Sequence, residues 1–249
     1  SLVGSEMCIR DRGIMAFGMG LVIITGGIDL SVGSMLALVG SFSVVVFNAT
    51  DSVFLTLLFA LVAGGLCGLF NGVLIGLVKM PAFIVTLATQ LITYGLILIF
   101  FMLNGNNGQP VSGLSQAYKD VVSAPLFQFT TSKGVKISLP MYVLYAIILC
   151  ALMWFVWNKT AFGKNMFAVG SNADAARVSG VNVFWTTVMV HTLAGAMYGV
   201  TGFIEGARIS SITQSAGLNY ECDAIAACVI GGVSFCLLYT SPSPRDYAA

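Results

Sequence analysis

The segment "VFLTLLFALVAGGLCGLFNGVLIGLVKMPAFIVTLATQLITYGLILIFFML", from Val53 to Leu103, decides the fold. Its one charged residue is Lys79, which lies just before Pro81 and separates two long apolar runs. A helix needs roughly 20 mostly apolar residues to cross the hydrocarbon core of a bilayer, and each run is long enough. The segment therefore predicts two membrane-spanning helices joined by a tight turn.

The chain as a whole has the composition of a membrane protein. Of its 249 residues, 57% are hydrophobic and 8% are charged, whereas soluble domains carry about 25% charged residues. The net charge of +1 and the absence of a basic cluster argue against nucleic acid as a partner. We expect an all-α polytopic membrane protein surrounded by lipid, with about seven spanning or partly spanning helices, each near 20 residues where complete. The predicted spans lie near Gly13–Gly27, Val32–Phe47, Val53–Val78, Ala82–Leu103, Pro140–Trp157, Val183–Ile204 and Asp223–Phe235.

The two ends of the chain differ from everything between them. The peptides "LVGSEMCIRD" and "CLLYTSPSPRD" can be encoded by opposite strands of one DNA string, as expected for a sequencing adapter retained on both sides of a fragment. We expect residues 1–12 and 236–249 to be adapter-derived, and residues 13–235 to be a transmembrane domain truncated at both ends. Segments of this kind are left out of fold reasoning.

Basic residues in short loops predict the orientation. Lys79 lies in one such loop, and residues 158–182 form another that contains Lys159, Lys164 and Arg177. Two predicted spans separate these loops, so both can face the cytoplasm, where short loops are enriched in basic residues. The long polar loop before the fifth span then faces outward.

The stretch "TGGIDLSVGS", Thr25–Ser34, places polar residues inside an otherwise apolar region. Gly26 and Gly27 release the backbone from helical geometry, and Asp29 or Ser31 can cap the helix that follows. A broken helix at membrane depth is tolerated only where it is buried in protein or lines a wet cavity. Two interpretations stay open: a capped turn at the membrane surface, or a gating element that lines a pathway.

The stretch "AVGSNADAARVSGVNV", Ala168–Val183, lies in the basic loop and contains a short amphipathic pattern from Asn172 to Ser179. Gly170 and Gly180 flank this pattern, which is too polar to span a membrane. Such a helix either docks into the groove of a partner or only closes a loop.

The sequence shows no catalytic constellation, so we do not expect an enzyme. The one histidine, His191, lies in the middle of a span without a Cys, Asp or Glu on its helical face, and we expect it to be buried and hydrogen-bonded rather than metal-bound. There is no phosphate-binding loop for ATP. After the sixth span, Glu205 and Arg208 stand one turn apart, and Glu221 and Asp223 precede the last span, where acids favour a helix N-terminus.

Four stretches together resemble the membrane permease subunit of bacterial ABC importers for simple sugars, the ribose, xylose and galactose permease family. They are "GGIDLSVGSMLAL", "FNGVLIGLVKMPAFIVTLAT", "AVGSNADAARVSGVNV" and "AGLNYECDAIAACVIGG". The resemblance covers essentially residues 13–235. It implies a multi-pass protein of the bacterial inner membrane that pairs with a second permease copy, with cytoplasmic ATPase subunits that bind ATP and Mg, and with a periplasmic or extracellular sugar-binding protein.

The resemblance also implies roles for particular residues, with no cofactor in this chain itself. The residues expected to couple to the ATPase are Gly170, Ala175, Ala176, Arg177 and Gly180. The candidates for the pathway or its gate are Gly26, Gly27, Asp29, Ser31, Asn71 and Tyr94. Other polar residues that could line the pathway are Thr86, Thr89 and Gln90.

Two other classes of protein remain as alternatives. An ion-coupled secondary transporter would be expected to pair intramembrane acids with basic groups. A structural membrane subunit would need neither a pathway nor a docking helix.

Overall fold

A computed structural model describes residues 2–103, 111–112, 118–119, 124–130, 136–209, 211–213 and 215–233. Residue 1, the side chains of residues 2–12 and all of residues 234–249 lie outside this description, so the predicted adapter origin of the two ends stays a prediction. The elements in chain order are α1 (Leu2–Ile24), α2 (Val32–Thr50), α3 (Val53–Val78), α4 (Ala82–Leu103), β1 (Val111–Ser112), β2 (Pro125–Thr130), β3 (Lys136–Pro140), α5 (Met141–Lys159), α6 (Ala161–Ser171), α7 (Ala173–Val178), α8 (Val183–Ile209), β4 (Ser211–Ile212) and α9 (Tyr220–Ile230).

The predicted all-α membrane architecture is confirmed. Within the described residues, four helices are long and apolar enough to cross a membrane, namely α2, α3, α4 and α8. A fifth crossing exists if α5 and α6, which meet at an angle of 71°, count as one span. Helices also occur at the first and last predicted spans, but the apolar part Gly13–Ile24 and the eleven-residue α9 are shorter than a full crossing.

Helix α8 lies at the centre of the bundle, where it packs against α3, α2 and α1. Gly64 and Gly68 of α3 meet Gly195 and Gly199 of α8, and a Cβ atom at any of the four would run into the backbone of the other helix. Small residues allow this close approach, because no side chain separates the two backbones. These four glycines therefore pack α3 directly against α8.

The two basic loops and the long polar loop lie at opposite ends of the bundle, as predicted. A cavity of about 790 Å³ is lined by both Lys79 and Arg177, so the two basic loops lie at one end. Tyr118 of the long polar loop donates a hydrogen bond of 3.1 Å to the carbonyl of Phe203, and its ring lies 4.7 Å from that of Phe47. These contacts place the long loop near the last turns of α8 and α2, away from the basic loops.

Two helices begin inside the bundle beside each other. A side chain at Gly33, at the start of α2, would collide with the carbonyl of Gly217, and one at Gly217 would collide with Gly33. Gly217 also has a φ of +79°, a backbone conformation that glycine adopts without steric cost. The turn before α9 is therefore pressed directly onto the first turn of α2.

Candidate pathway and coupling sites

The break between α1 and α2 contains the predicted gating residues. Helix α1 ends at Ile24, and Gly26 turns the chain with a φ of +80°. Asp29 accepts hydrogen bonds from the backbone N–H of Ser31, at 2.9 Å, and from the Ser31 hydroxyl. Ser31 occupies the N-cap position of α2, but its side chain makes no capping hydrogen bond. Of the two caps that the sequence offered, Ser31 makes no capping hydrogen bond, whereas Asp29 accepts from a backbone N–H at the start of the helix.

Helices α3 and α4 both hold this break in place. Asn71 of α3 donates a hydrogen bond of 3.1 Å to the Ser31 hydroxyl and accepts one of 2.7 Å from the hydroxyl of Thr89. The hydroxyl of Thr86 accepts a hydrogen bond of 3.0 Å from the backbone N–H of Leu30. Thr86 thus replaces a hydrogen bond that the broken backbone loses, and Asn71 holds the side chain of Ser31.

Burial shows how the break sits in the protein. Asp29 is 2% exposed and Ser31 is fully buried, whereas Gly26 lies at the surface. Gly27 packs against Ala82 at the start of α4, where its Cβ would come within 3.1 Å. The polar residues of the break are therefore enclosed by protein, and both interpretations, a capped turn at the membrane surface and a gating element, stay predictions.

Three polar side chains with buried oxygen atoms lie near the break, those of Tyr94, Tyr198 and Glu221. The hydroxyl of Tyr198 lies beside Asp29, and Tyr94 lies near Glu221. One carboxylate oxygen of Glu221 has no hydrogen-bond partner within the described residues. Tyr198 and Glu221 were missed as site residues from the sequence, since an aromatic residue in an apolar helix and an acid before a helix look structural in isolation.

The short helix predicted in the basic loop is present as α7. Asn172 caps it, because its side-chain oxygen accepts hydrogen bonds from the backbone of Asp174, at 3.0 Å, and Ala175, at 2.9 Å. Gly180 ends the segment with a φ of +85°, which few other residues adopt without strain. The predicted bounds, Asn172 and Ser179, are the two cap residues of the observed helix.

The predicted coupling residues do not all face outward. Ala175, Arg177 and Gly180 are exposed, but Ala176 is 4% exposed and packs inward. Gly170 lies within α6, where it contacts the carbonyl of Ile24 rather than flanking α7. Both residues therefore pack against this chain, and the coupling role expected of them stays a prediction.

Val178 is the coupling candidate that the sequence did not single out. Its side chain is 91% exposed at the end of α7. Arg177 beside it forms an exposed ion pair of 3.4 Å with Asp174. The helix therefore presents an apolar tip within a polar, charged surface.

His191 is buried, as predicted, and its Nδ1 lies 3.0 Å from the carbonyl oxygen of Thr187. Its Nε2 has no hydrogen-bond partner in the described part of the chain. Within those same residues, no group of three or more His, Cys, Asp or Glu side chains could hold a metal ion.

Comparison with known proteins identifies the family. The family described as "Branched-chain amino acid transport system / permease component" matches residues 11–241. The chain belongs to this family of membrane permeases. The galactose/methyl galactoside import permease protein MglC of Salmonella typhimurium is 36% identical over 236 residues, which cover 90% of this chain and 68% of the relative. This chain is 36% identical to the ribose import permease protein RbsC of Escherichia coli and 37% identical to RbsC of Bacillus subtilis. Each alignment covers about 90% of this chain and 65% of the relative.

These relatives confirm the resemblance to sugar importer permeases. The chain spans about two thirds of the length of each of the three relatives. No solved structure matches it. Family membership and the apolar helices together make the chain a multi-pass membrane permease component, a class that is not itself enzymatic.

Proposed function

We propose that the chain is the permease subunit of an ATP-driven importer that moves a simple sugar, a ribose-like pentose or a hexose, across the bacterial inner membrane by alternating access. The observation that carries this proposal is the similarity to permeases named for ribose and for galactose import. The family description names branched-chain amino acids, but these individual relatives favour a sugar.

The two ends of the bundle suit different partners. Cytoplasmic ATPase subunits, which bind ATP and Mg, dock at the end that contains Lys79, Arg177 and α7. A sugar-binding protein delivers its ligand to the opposite end. The outward faces of α3 and α4 carry exposed large apolar side chains that suit lipid and a second permease copy, among them Phe54, Leu58, Leu66, Phe70, Leu91 and Ile99.

Helix α7 transmits closure of the ATPase to the membrane helices. An exposed apolar side chain with a polar surround is typical of a docking surface, and Val178 has this setting beside Arg177. Ala176, two residues before Val178, packs inward, so a displacement of α7 is transmitted to the bundle through this buried side chain. Ala175 and Gly180, both exposed, leave room for a groove on the partner.

The break between α1 and α2 acts as the gate. Its polar side chains are bonded to α3 through Asn71 and to α4 through Thr86, so a relative movement of these helices must rearrange Asp29 and Ser31. Tyr94 and Glu221 supply additional hydrogen-bonding groups at this level. Together they form a polar route through an apolar bundle.

The test compares Val178→Asp with Thr50→Asp in the full-length permease. Both positions are exposed, but Thr50 ends α2 at the opposite end of the bundle. A carboxylate buried without a partner at the docking surface should weaken ATPase binding and uptake of labelled ribose or galactose by about tenfold or more, with normal membrane insertion. Thr50→Asp should keep wild-type ATPase binding. Gly180 is a poorer test site because its positive φ would strain any substitute.

Three results would count against the proposal. The first is that no ATPase co-purifies with the wild-type protein. The second is that Val178→Asp matches its control in both ATPase binding and uptake. The third is uptake that follows an ion gradient instead of ATP, which would favour a secondary transporter.

A further inference from the structure

A small pocket lies at the end of the bundle opposite the basic loops, between the last turns of α8 and the start of α9. Its volume is about 150 Å³. The residues that line it are Glu205, Ile212, Thr213, Ser215, Ala216, Gly217, Leu218 and Tyr220.

Glu205 forms the polar floor of this pocket. It is 3% exposed, and it accepts hydrogen bonds from Arg208 Nη2 at 2.8 Å, from Arg208 Nε at 3.2 Å and from the hydroxyl of Tyr220 at 3.1 Å. A carboxylate has about four acceptor positions, so one position on Oε2 remains for a ligand hydroxyl. The ion pair with Arg208 compensates the buried charge, so the floor carries no net charge.

The rest of the pocket is amphipathic. The hydroxyls of Thr213 and Ser215 lie 3.3 Å apart at the exposed rim. Ile212 and Ala216 line the pocket with apolar surface between the rim and the floor. A sugar ring has the matching character, since it presents hydroxyl groups along its edge and C–H groups on its faces.

We propose that this pocket is a binding subsite for one neutral monosaccharide on the outer side of the permease, with Glu205 as acceptor for a sugar hydroxyl. A zwitterionic amino acid fits poorly because Glu205 and Arg208 already neutralise each other. The subsite also borders the gate, since Gly217 of its lining is pressed onto Gly33 at the start of α2. This inference rests on the proposed function and adds the place where the sugar first contacts this chain.

The test measures whether sugar shields the pocket from a thiol reagent. Ser215→Cys places a thiol at the rim of the full-length protein, in a background where the other exposed cysteines are replaced by serine. Ribose or galactose at millimolar concentration should slow labelling by a membrane-impermeant maleimide, whereas leucine should not. Adding Glu205→Gln should raise the sugar concentration for half-protection about tenfold, because a hydrogen bond to a charged acceptor becomes one to a neutral amide.

Two further variants separate binding from folding. Tyr220→Phe removes the hydroxyl that holds Glu205 and should weaken protection in the same direction. Thr201→Val removes a buried hydroxyl one turn away on α8, which bonds only the carbonyl of Met197, and should leave protection unchanged. All variants are compared at equal yield and with the same gel-filtration profile.

The inference and the proposed function fail in different ways. If wild-type protein imports sugar but sugar gives no protection, or Glu205→Gln behaves like Thr201→Val, the subsite is wrong and the function stands. Protection by leucine would also overturn the subsite. If wild-type protein imports no sugar with its ATPase and binding protein present, the proposed function is wrong.

Discussion

Replacing Gly68 by alanine should separate the two central helices of the bundle. The added Cβ at Gly68 would run into the carbonyl of His191 and come within 3.1 Å of the Cα of Gly195. These atoms belong to the backbone of α8, which cannot rotate out of the way as a side chain does. The helices must therefore move apart or shift along each other.

The size of the effect follows from a neighbouring glycine on the same helix. At Gly65 a Cβ would meet only atoms of Ala196 and Thr192 at 3.9–4.0 Å, which is ordinary contact. Both substitutions gain the same helix propensity, about 1 kcal/mol, so this gain cancels in the comparison. Overpacking typically costs about 1–3 kcal/mol, which leaves Gly68→Ala less stable than Gly65→Ala by about that amount.

The assay is thermal unfolding of the purified full-length protein in detergent, followed by tryptophan fluorescence. A difference of about 2 kcal/mol corresponds to about 4–8 °C in melting temperature for a chain of this size. We expect Gly65→Ala to melt at or above the wild-type temperature and Gly68→Ala to melt clearly below it. Equal melting temperatures for the two variants would refute the close packing of α3 on α8.

Three other changes test separate parts of the structure. Asn71→Leu should lower the free energy of unfolding by about 1–3 kcal/mol, because the hydroxyl of Ser31 is left buried without its donor. Thr93→Val removes a hydrogen bond within its own helix and should lower the melting temperature less in the same assay. Burial raises the pKa of Tyr118, so above about pH 10 the unfolded state releases this proton while the folded state keeps it, and the folded state loses stability. Between about pH 9 and 11 the melting temperature of Tyr118→Phe should therefore fall less than that of the wild type. Gly170→Ala should lower the melting temperature, since the added Cβ meets the carbonyl of Ile24.

Local sequence predicted the helices well where the apolar runs were long. The observed bounds of α3 and α4 are the predicted ones, because a charged, proline-containing turn separates two runs that each exceed the membrane thickness. Helix α2 was predicted to end at Phe47 and runs to Thr50 instead. Its last turn is polar and exposed, so hydropathy alone gave no reason to extend it.

The contacts that define the candidate site could not be predicted in this way. The partners of Ser31 lie on α3 and α4, and the composition of "TGGIDLSVGS" does not indicate which distant side chain reaches it. Ala176 looked suited to an interface because it is small, but the register of α7 turns it inward and leaves Val178 exposed. Such outcomes depend on how whole helices rotate and pack, which local patterns leave open.

The contact between Gly33 and Gly217 has a mechanical consequence. Two turns that lie far apart in the chain touch through bare backbone, with no side chain between them to deform or change rotamer. A movement of one turn must therefore displace the other or break the contact as a whole. We therefore expect a displacement of the turn that lines the pocket at Gly217 to displace the first turn of α2 as well, which couples the outer pocket to the buried break.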